Sequence, residues 1–282
     1  MDTTNKVAIV TGGGQGLGKA ICQKLLEHNF KVCIADVNNK QGQKTAEELN
    51  SKFGTNSAIY IPCDVQNETD IEGVFRQTLL VFGQVDILVN NAGIAGENNW
   101  SKLVRVNLMG VIWGTKIVLM CNNTSTCIFF CFTDGCYLGN KDSFDMGVIW
   151  GTKIPQITPI CKTEENTRLS PVPLGPVYCA CKHGVVGYTR SVGTDIYYEK
   201  SGVTISAICP SFIDTEMTRQ LVEFSASPIE ATKFRESLEL MEPSYVAEGV
   251  IHLLKKDQSN GAVLKVTKKD GFQYVLQSRI SS

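Results

Sequence analysis

The sequence predicts an α/β fold in which a doubly wound parallel sheet carries helices on both faces. Short apolar runs alternate with longer segments of helical periodicity, a pattern typical of parallel strands joined by helices. The chain has 282 residues, of which 43% are apolar, so it is long enough to bury one large core. We expect a single domain with an anomalous insertion around residues 118–170.

The first half of the chain, residues 1–118, predicts four strands that are each followed by a helix. Each strand is a short apolar run, and each helix has apolar side chains three or four positions apart. The strands are predicted at residues 7–10, 30–35, 58–61 and 86–89. The helices are predicted at about residues 17–26, 38–49, 71–82 and 100–120.

The second half, residues 170–282, resumes this alternation. Residues 177–197 predict one long helix, residues 203–208 a strand and residues 245–254 a further helix. Residues 262–266 predict the last strand. We expect these elements to extend the same sheet.

Charge and histidine content exclude several functional classes. Lys and Arg total 27 against 28 Asp and Glu, which argues against a nucleic-acid partner or an anionic membrane surface. His28, His183 and His252 lack ligand-like spacing, so we expect neither a metal site nor a histidine-based triad.

No export leader or membrane span is predicted, which indicates a cytoplasmic protein whose 11 cysteines stay reduced.

A glycine-rich turn between the first strand and the first helix predicts a dinucleotide site of the Rossmann-like kind. Residues 11–18 read Thr-Gly-Gly-Gly-Gln-Gly-Leu-Gly, and such a turn lets a pyrophosphate reach the N–H groups at the helix N-terminus. Asp36 ends the second strand, where a carboxylate accepts hydrogen bonds from an adenosine ribose. Because that carboxylate repels a 2′-phosphate and Val37 and Asn38 supply no cation, NAD is favoured over NADP.

Four motifs in order resemble those of the classical short-chain dehydrogenase/reductase family. They are Gly-x-x-x-Gly-x-Gly at residues 12–18, Asn90–Gly93, Tyr178–Lys182 and Pro210–Thr215. The resemblance implies an NAD-dependent oxidoreductase that acts on secondary alcohols. The residues that it places at the cofactor are Gly12, Gln15, Gly16, Leu17, Gly18, Asp36, Val37, Cys63, Asp64, Val65, Asn91, Tyr178, Lys182, Ile213 and Thr215.

A tyrosine and a lysine form the predicted catalytic pair. Tyr178 and Lys182 lie four residues apart on a predicted helix, so both side chains project from one face. A tyrosine is a poor base near its ordinary pKa of ~10, and a neighbouring ammonium lowers that pKa by favouring the phenolate. The resemblance implies that Tyr178 takes the proton of the substrate hydroxyl, that Lys182 holds the nicotinamide ribose, and that Asn107 anchors a water relay to Lys182.

The segment between the two halves departs from the family pattern. The family places a serine 13 residues before the tyrosine, at the end of the fifth strand, and Glu165 occupies that position within a polar stretch. Thr167 and Ser170 are the nearest hydroxyl residues, and neither lies in the expected frame. The apolar runs at residues 127–132 and 147–150 are the candidates for the missing strand.

A literal repeat also marks this segment. Residues Met109–Ile117 recur as Met146–Ile154, while the residues around the two copies do not match. Solenoid repeats are whole supersecondary units, so this repeat indicates a duplicated piece of coding sequence or a wrongly joined gene model. Asn107 and Tyr178 are 71 residues apart, whereas finishing a helix, a strand and a loop needs roughly 40.

Two functional classes follow. The first is an NAD-dependent secondary-alcohol dehydrogenase, because residues 97–100, 176–190 and 260–266 resemble a branch of the family that oxidises 15-hydroxyprostaglandin-like lipids. The second is a catalytically impaired NAD-binding protein, or a defective splice product, that lacks the serine. The family also implies a homodimer that pairs through the helices at 100–120 and 177–197.

Overall fold

Eight strands form one sheet in the computed structural model, which describes residues 6–120, 127–131, 175–219, 238–256 and 259–275, together with Thr232 and Glu236. In chain order the strands are β1 Val7–Thr11, β2 Lys31–Asp36, β3 Ala58–Pro62, β4 Ile87–Asn90, β5 Cys127–Cys131, β6 Thr204–Pro210, β7 Val263–Thr267 and β8 Gly271–Val275. Their order across the sheet is β3-β2-β1-β4-β5-β6-β7-β8. The winding reverses between β1 and β4, so the predicted doubly wound sheet is confirmed.

Helices cover both faces of this sheet. Those of the described ranges are α1 Gly16–Glu27, α2 Asn39–Phe53, α3 Glu68–Phe82, α4 Trp100–Val104, α5 Gly110–Met120, α6 Pro176–Val192, α7 Asp195–Ser201, α8 Glu216–Arg219 and α9 Pro243–Leu254, with a π-helical turn at Arg105–Met109 between α4 and α5. Buried side chains of α1, α2 and α9 belong to one apolar cluster, and those of α3, α5 and α6 belong to a second.

The first four residues of the central strand β1 are apolar because both faces of the strand are covered. Ala8 and Val10 belong to the first cluster, whereas Ile9, between them, belongs to the second. Successive side chains of a strand point to opposite faces. Because both faces of a doubly wound sheet are covered, every residue of β1 is buried.

One described segment, Trp100–Met120, is long and apolar enough to span a membrane by length and composition alone. In the structure it comprises α4, the π turn and α5. Val111, Ile117 and Val118 of this segment are buried in the second apolar cluster. The segment therefore packs against the sheet as a core helix.

The fifth strand occupies the first of its two predicted locations. Cys127–Cys131 pairs in parallel with β4 on one side and β6 on the other. The alternative at residues 147–150 and the second copy of the repeat lie outside the described residues. The first copy, Met109–Ile117, lies in the π turn and α5.

The sheet ends in an antiparallel strand that the sequence pattern did not reveal. β8 pairs with β7 through a turn in which Thr267 Oγ1 accepts a hydrogen bond from the Asp270 N–H at 2.9 Å. Gly271 follows with a φ of +69°, a conformation that glycine adopts without strain. The prediction of a strand at residues 262–266 is confirmed by β7, but the prediction that it is the last strand is wrong. β8 follows it after a short turn, since an antiparallel partner needs no crossover helix.

The long helix predicted at residues 177–197 is in fact two helices. α6 ends at Val192, and a Cβ placed on the next residue, Gly193, would lie only 2.3 Å from the Gly261 Cα. Thr194 then adopts an extended backbone before α7 begins. The prediction of one helix is wrong: α6 ends where Gly193 packs against the backbone of Gly261, a contact that helical periodicity does not reveal.

Replacing Gly193 by alanine should lower the free energy of unfolding by about 1–3 kcal/mol, because the new methyl group collides with backbone that cannot move freely. Urea denaturation measures the change. Gly73 in α3 is the matched control, since a Cβ there meets nothing within 4 Å and Gly73→Ala should be neutral or stabilising by up to about 1 kcal/mol. Equal stability of the two variants would contradict the close packing at Gly193.

Candidate active site

The turn between β1 and α1 has a conformation that requires glycine. Gly12 and Gly16 have φ values of +63° and +53°, which lie in the left-handed region. A Cβ on Gly18 would lie 2.1 Å from the carbonyl oxygen of Gly12, so α1 can pack this closely only without a side chain there. Gln15 is the N-cap and makes no side-chain cap hydrogen bond, whereas Leu17 is buried. The turn leaves the N-terminus of α1 accessible to an anion.

Thr11 joins this turn to the loop that follows β4. Its Oγ1 accepts hydrogen bonds from the N–H groups of Asn91 at 3.0 Å and Ala92 at 3.1 Å, and it donates to the Val89 carbonyl at 3.3 Å. Asn91 Nδ2 donates to the carbonyls of Thr11 at 2.9 Å and Gly12 at 3.1 Å. Thr11 is not among the residues predicted from the sequence, although a hydroxyl residue directly before the first glycine is the signal that could identify it.

Asp36 lies at the carboxyl end of β2 against the glycine turn. Its Oδ2 accepts a hydrogen bond from the Gly14 N–H, and its Oδ1 accepts one from the Asn38 N–H, each at 2.9 Å. Thr45 of α2 also holds Gly14 in place, since its Oγ1 donates to the Gly14 carbonyl at 2.7 Å. The carboxylate is therefore held at the turn, with the side chain of Val37 70% exposed beside it.

A groove of about 450 Å³ opens beyond the end of β3. Its lining residues are Val37, Ile61, Pro62, Cys63, Asp64, Thr69, Asp70, Gly73 and Gln77. Burial raises the pKa of the Cys63 thiol to about 12, so the thiol stays protonated at neutral pH. Val65 does not line this groove but belongs to the second apolar cluster, where it packs against Gly110.

Tyr178, Lys182 and Asn107 meet beside the loop after β4. Tyr178 and Lys182 lie one turn apart on α6, are 7% and 3% exposed, and the Lys182 Nζ lies 5.2 Å from the centroid of the Tyr178 ring. Asn107 is buried in the π turn, where its Oδ1 accepts from the Ile94 N–H at 2.8 Å and its Nδ2 donates to the Ile94 carbonyl at 2.9 Å. A Cβ on Gly93 would lie 3.4 Å from Asn107 Oδ1 and 3.5 Å from Lys182 Nζ.

This arrangement has the components of a general base. A phenol and an ammonium are buried together, and a buried positive charge stabilises a phenolate more strongly than it would in water. Lys182 lies close enough to Tyr178 to act in this way. The structure thus brings the predicted catalytic pair and Asn107 into one site.

The segment after β6 returns to the glycine turn. Thr215 is buried, and its Cγ2 lies 3.7 Å from the position that a Cβ on Gly16 would occupy. Ile213 is fully buried, and its carbonyl accepts hydrogen bonds from Thr218 Oγ1 at 2.6 Å and from the Thr215 N–H at 2.9 Å. The structure therefore places Thr215 beside the turn, and Ile213 is buried and bonded to Thr215.

Position 165, where the family spacing predicts the serine, does not directly follow the fifth strand. β5 ends at Cys131, which is 47 residues before Tyr178. The family spacing of 13 residues therefore does not locate the residue that succeeds β5 in this chain. Glu165, Thr167 and Ser170 lie outside the described residues.

Comparison with known proteins identifies the family. The model of the short chain dehydrogenase family matches residues 6–128 and 161–226. The chain belongs to the short-chain dehydrogenase family. The family and the enzyme class predicted from the motifs are thereby confirmed. The match skips residues 129–160, which fall within the predicted anomalous segment.

Individual relatives and solved structures of the short-chain dehydrogenase family cover nearly the whole chain. The 15-hydroxyprostaglandin dehydrogenases (NAD(+)) of Rattus norvegicus and Homo sapiens are 34% and 33% identical to it, over 97% of this chain and 95% of each relative. A short-chain dehydrogenase/reductase from Burkholderia phymatum, solved in complex with NAD, shares 23% identity at a TM-score of 0.69, covering 90% of this chain and 87% of that one. This likeness supports the doubly wound fold.

Thr11→Val should lower the free energy of unfolding by about 1–3 kcal/mol, because the N–H of Ala92 loses its acceptor. The N–H of Asn91 keeps a second acceptor, the Val89 carbonyl at 3.0 Å. Thr189→Val is the matched control, since the buried Thr189 hydroxyl only donates to the Val185 carbonyl within α6. Thermal denaturation should show a clearly larger loss for the Thr11 variant, and losses of equal size would be evidence against the role of Thr11.

Proposed function

We propose that the chain oxidises a secondary alcohol by hydride transfer to NAD. The observation that carries the proposal is that three consecutive residues, 91–93, connect the glycine turn to the buried lysine. Asn91 and Ala92 contact the glycine turn, while Gly93 lies beside Lys182 and Asn107. A dinucleotide bound at the turn would therefore extend toward the buried tyrosine and lysine.

The described residues fit such a cofactor. The close packing at Gly12 and Gly18 leaves backbone where side chains would otherwise stand, as a pyrophosphate at a helix N-terminus requires. Asp36 would accept hydrogen bonds from the adenosine ribose, and the groove lined by Val37, Cys63 and Asp64 would take the adenine. NAD is also named for the rat and human relatives.

The proposed chemistry divides between the cofactor and the protein. NAD, when bound, would supply the acceptor for the hydride that leaves the carbinol carbon. Tyr178 takes the hydroxyl proton of the substrate, and the buried ammonium of Lys182 favours the phenolate that does so. Asn107 fixes Ile94 in the loop after β4 and would anchor a water relay to Lys182.

For the substrate we propose a hydroxylated lipid of the 15-hydroxyprostaglandin class. The support is the likeness of the whole chain to relatives that carry this substrate in their name. Steady-state turnover of a 15-hydroxyprostaglandin, compared with a short secondary alcohol, tests the proposal. A preference for the short alcohol would overturn the assignment of the lipid.

A second candidate is a catalytically impaired NAD-binding member of the family. The observation in its favour is the separation of 47 residues between the end of β5 and Tyr178. An NAD titration beside a turnover assay distinguishes the two candidates. Binding without turnover would favour this second candidate.

We also propose that the protein is a cytoplasmic homodimer. α5 and α6 keep partly exposed aromatic side chains, Trp113 and Tyr188, in line with pairing through these helices. The six cysteines for which the structure describes a thiol are all free, as a reducing compartment favours. Light scattering at micromolar concentration tests the dimer, and a clean monomer would remove it.

The unmodified chain should bind NAD more tightly than NADP, and Asp36→Ala should narrow that preference because the carboxylate no longer repels a 2′-phosphate. Asp36 also accepts hydrogen bonds from Gly14 and Asn38, so the alanine variant should weaken both nucleotides. Asp36→Asn keeps an acceptor oxygen and removes only the charge. Titration of each variant with both nucleotides measures the ratio, and equal binding of NADP by the unmodified chain would show that the cofactor assignment is wrong.

Lys182→Met should lower kcat/KM at neutral pH by about 10²-fold or more, since a general base contributes on that scale. The pH at which activity rises should also move upward, because without the ammonium the phenolate forms only at higher pH. Rates measured from pH 6 to about pH 10 test both effects. Lys116→Met removes an exposed lysine that pairs with Glu68 and should leave the profile unchanged. An unshifted profile in the Lys182 variant would contradict the assigned role.

A further inference from the structure

The N-cap residue of the helix that carries Tyr178 supplies no side-chain cap. Gly175 is the N-cap residue of α6 and has no side chain, and Pro176, which follows, has no N–H. The first donors of this helix are therefore the N–H groups of Val177 and Tyr178. Unpaired N–H groups at a helix start need acceptors, which a nearby Ser, Thr, Asp or Asn side chain ordinarily supplies.

A carboxylate from a distant part of the chain supplies both acceptors. Glu97 Oε2 accepts from the Val177 N–H at 3.2 Å, and Glu97 Oε1 accepts from the Tyr178 N–H at 3.0 Å. A negative charge at a helix N-terminus is also favoured by the helix dipole. A Cβ on Gly175 would lie 3.5 Å from Glu97 Oε1, so the carboxylate lies directly beside the N-cap residue.

Glu97 belongs to the loop after β4 that already borders the candidate site. In that loop Gly93 lies beside Lys182, and both backbone groups of Ile94 are bonded to Asn107. Glu97 adds a third contact, which reaches the backbone of Tyr178 itself. One loop therefore touches all three residues of the proposed catalytic group.

We propose that Glu97 is a positioning residue, which holds the phenol of Tyr178 in register with Lys182 and Asn107 by capping α6 from the loop after β4. Glu97 acts through the backbone of Tyr178 and not on the substrate. The inference rests on the proposed dehydrogenase function. A displacement of about 1 Å in a reacting group can reduce the rate about 10²-fold, so the loss of this contact should be visible in turnover.

The test compares Glu97→Ala and Glu97→Gln with Asn99→Ala as the matched control. Asn99 lies two residues from Glu97 in the same loop and caps α4 instead, since its Oδ1 accepts from the Lys102 N–H at 3.0 Å. For each protein we would measure kcat and KM with a secondary alcohol, the Kd of NAD, and amide hydrogen exchange in the first turn of α6.

For Glu97→Ala we expect kcat to fall about 10- to 100-fold, faster exchange at Val177 and Tyr178, and a Kd of NAD that changes less than about twofold. Glu97→Gln keeps one acceptor oxygen and should recover part of kcat. Asn99→Ala should keep the kcat and the α6 exchange of the unmodified chain.

Two results would overturn the inference alone. One is an unchanged kcat in Glu97→Ala while the unmodified chain turns over normally, and the other is an equal loss of kcat in Asn99→Ala. Absence of turnover by the unmodified chain with NAD would instead overturn the proposed function, and this inference with it.

Discussion

The close approach of the glycine turn to the loop after β4 is the contact on which the candidate site depends. The winding reverses between β1 and β4, so their carboxyl ends border the crevice where ligands of such folds bind. Thr11 ties the two ends together through the N–H groups of Asn91 and Ala92, and the absence of a side chain on Gly12 permits the approach. This contact sets the position of the turn beside Asp36 relative to the loop beside Lys182.

Burial of Asn107 shows how the second half of the site is kept rigid. A buried amide destabilises the fold unless both its donor and its acceptor are paired. Ile94 supplies both partners through its backbone, and the π turn that contains Asn107 interrupts an otherwise regular helix. The same two hydrogen bonds that satisfy Asn107 also fix the loop that reaches Tyr178 through Glu97.

Sequence patterns predicted the features whose causes are local. Gly12 and Gly16 predict the turn because its positive φ values favour glycine, and continuous apolar runs predict the buried strands. The features that were missed depend on distant contacts. The break after α6 depends on Gly261, and the cap of α6 comes from Glu97, 80 or more positions away. Neither Gly261 nor Glu97 lies near α6 in the sequence. Gly175 has no side chain and Pro176 has no N–H, which indicates that the cap of α6 comes from another part of the chain.

Contacts between distant parts of the chain position β5 and α6. β5 keeps its place because it pairs with a neighbour on each side, with Phe130 opposite Asn90 and Cys131 opposite Ile208. These registers are set by residues of β4, β5 and β6 themselves. α6 is then held at its start by the Glu97 carboxylate and at its end by the backbone contact of Gly193 with Gly261. Contacts with Glu97 and Gly261 therefore hold the helix that carries Tyr178 and Lys182 in place.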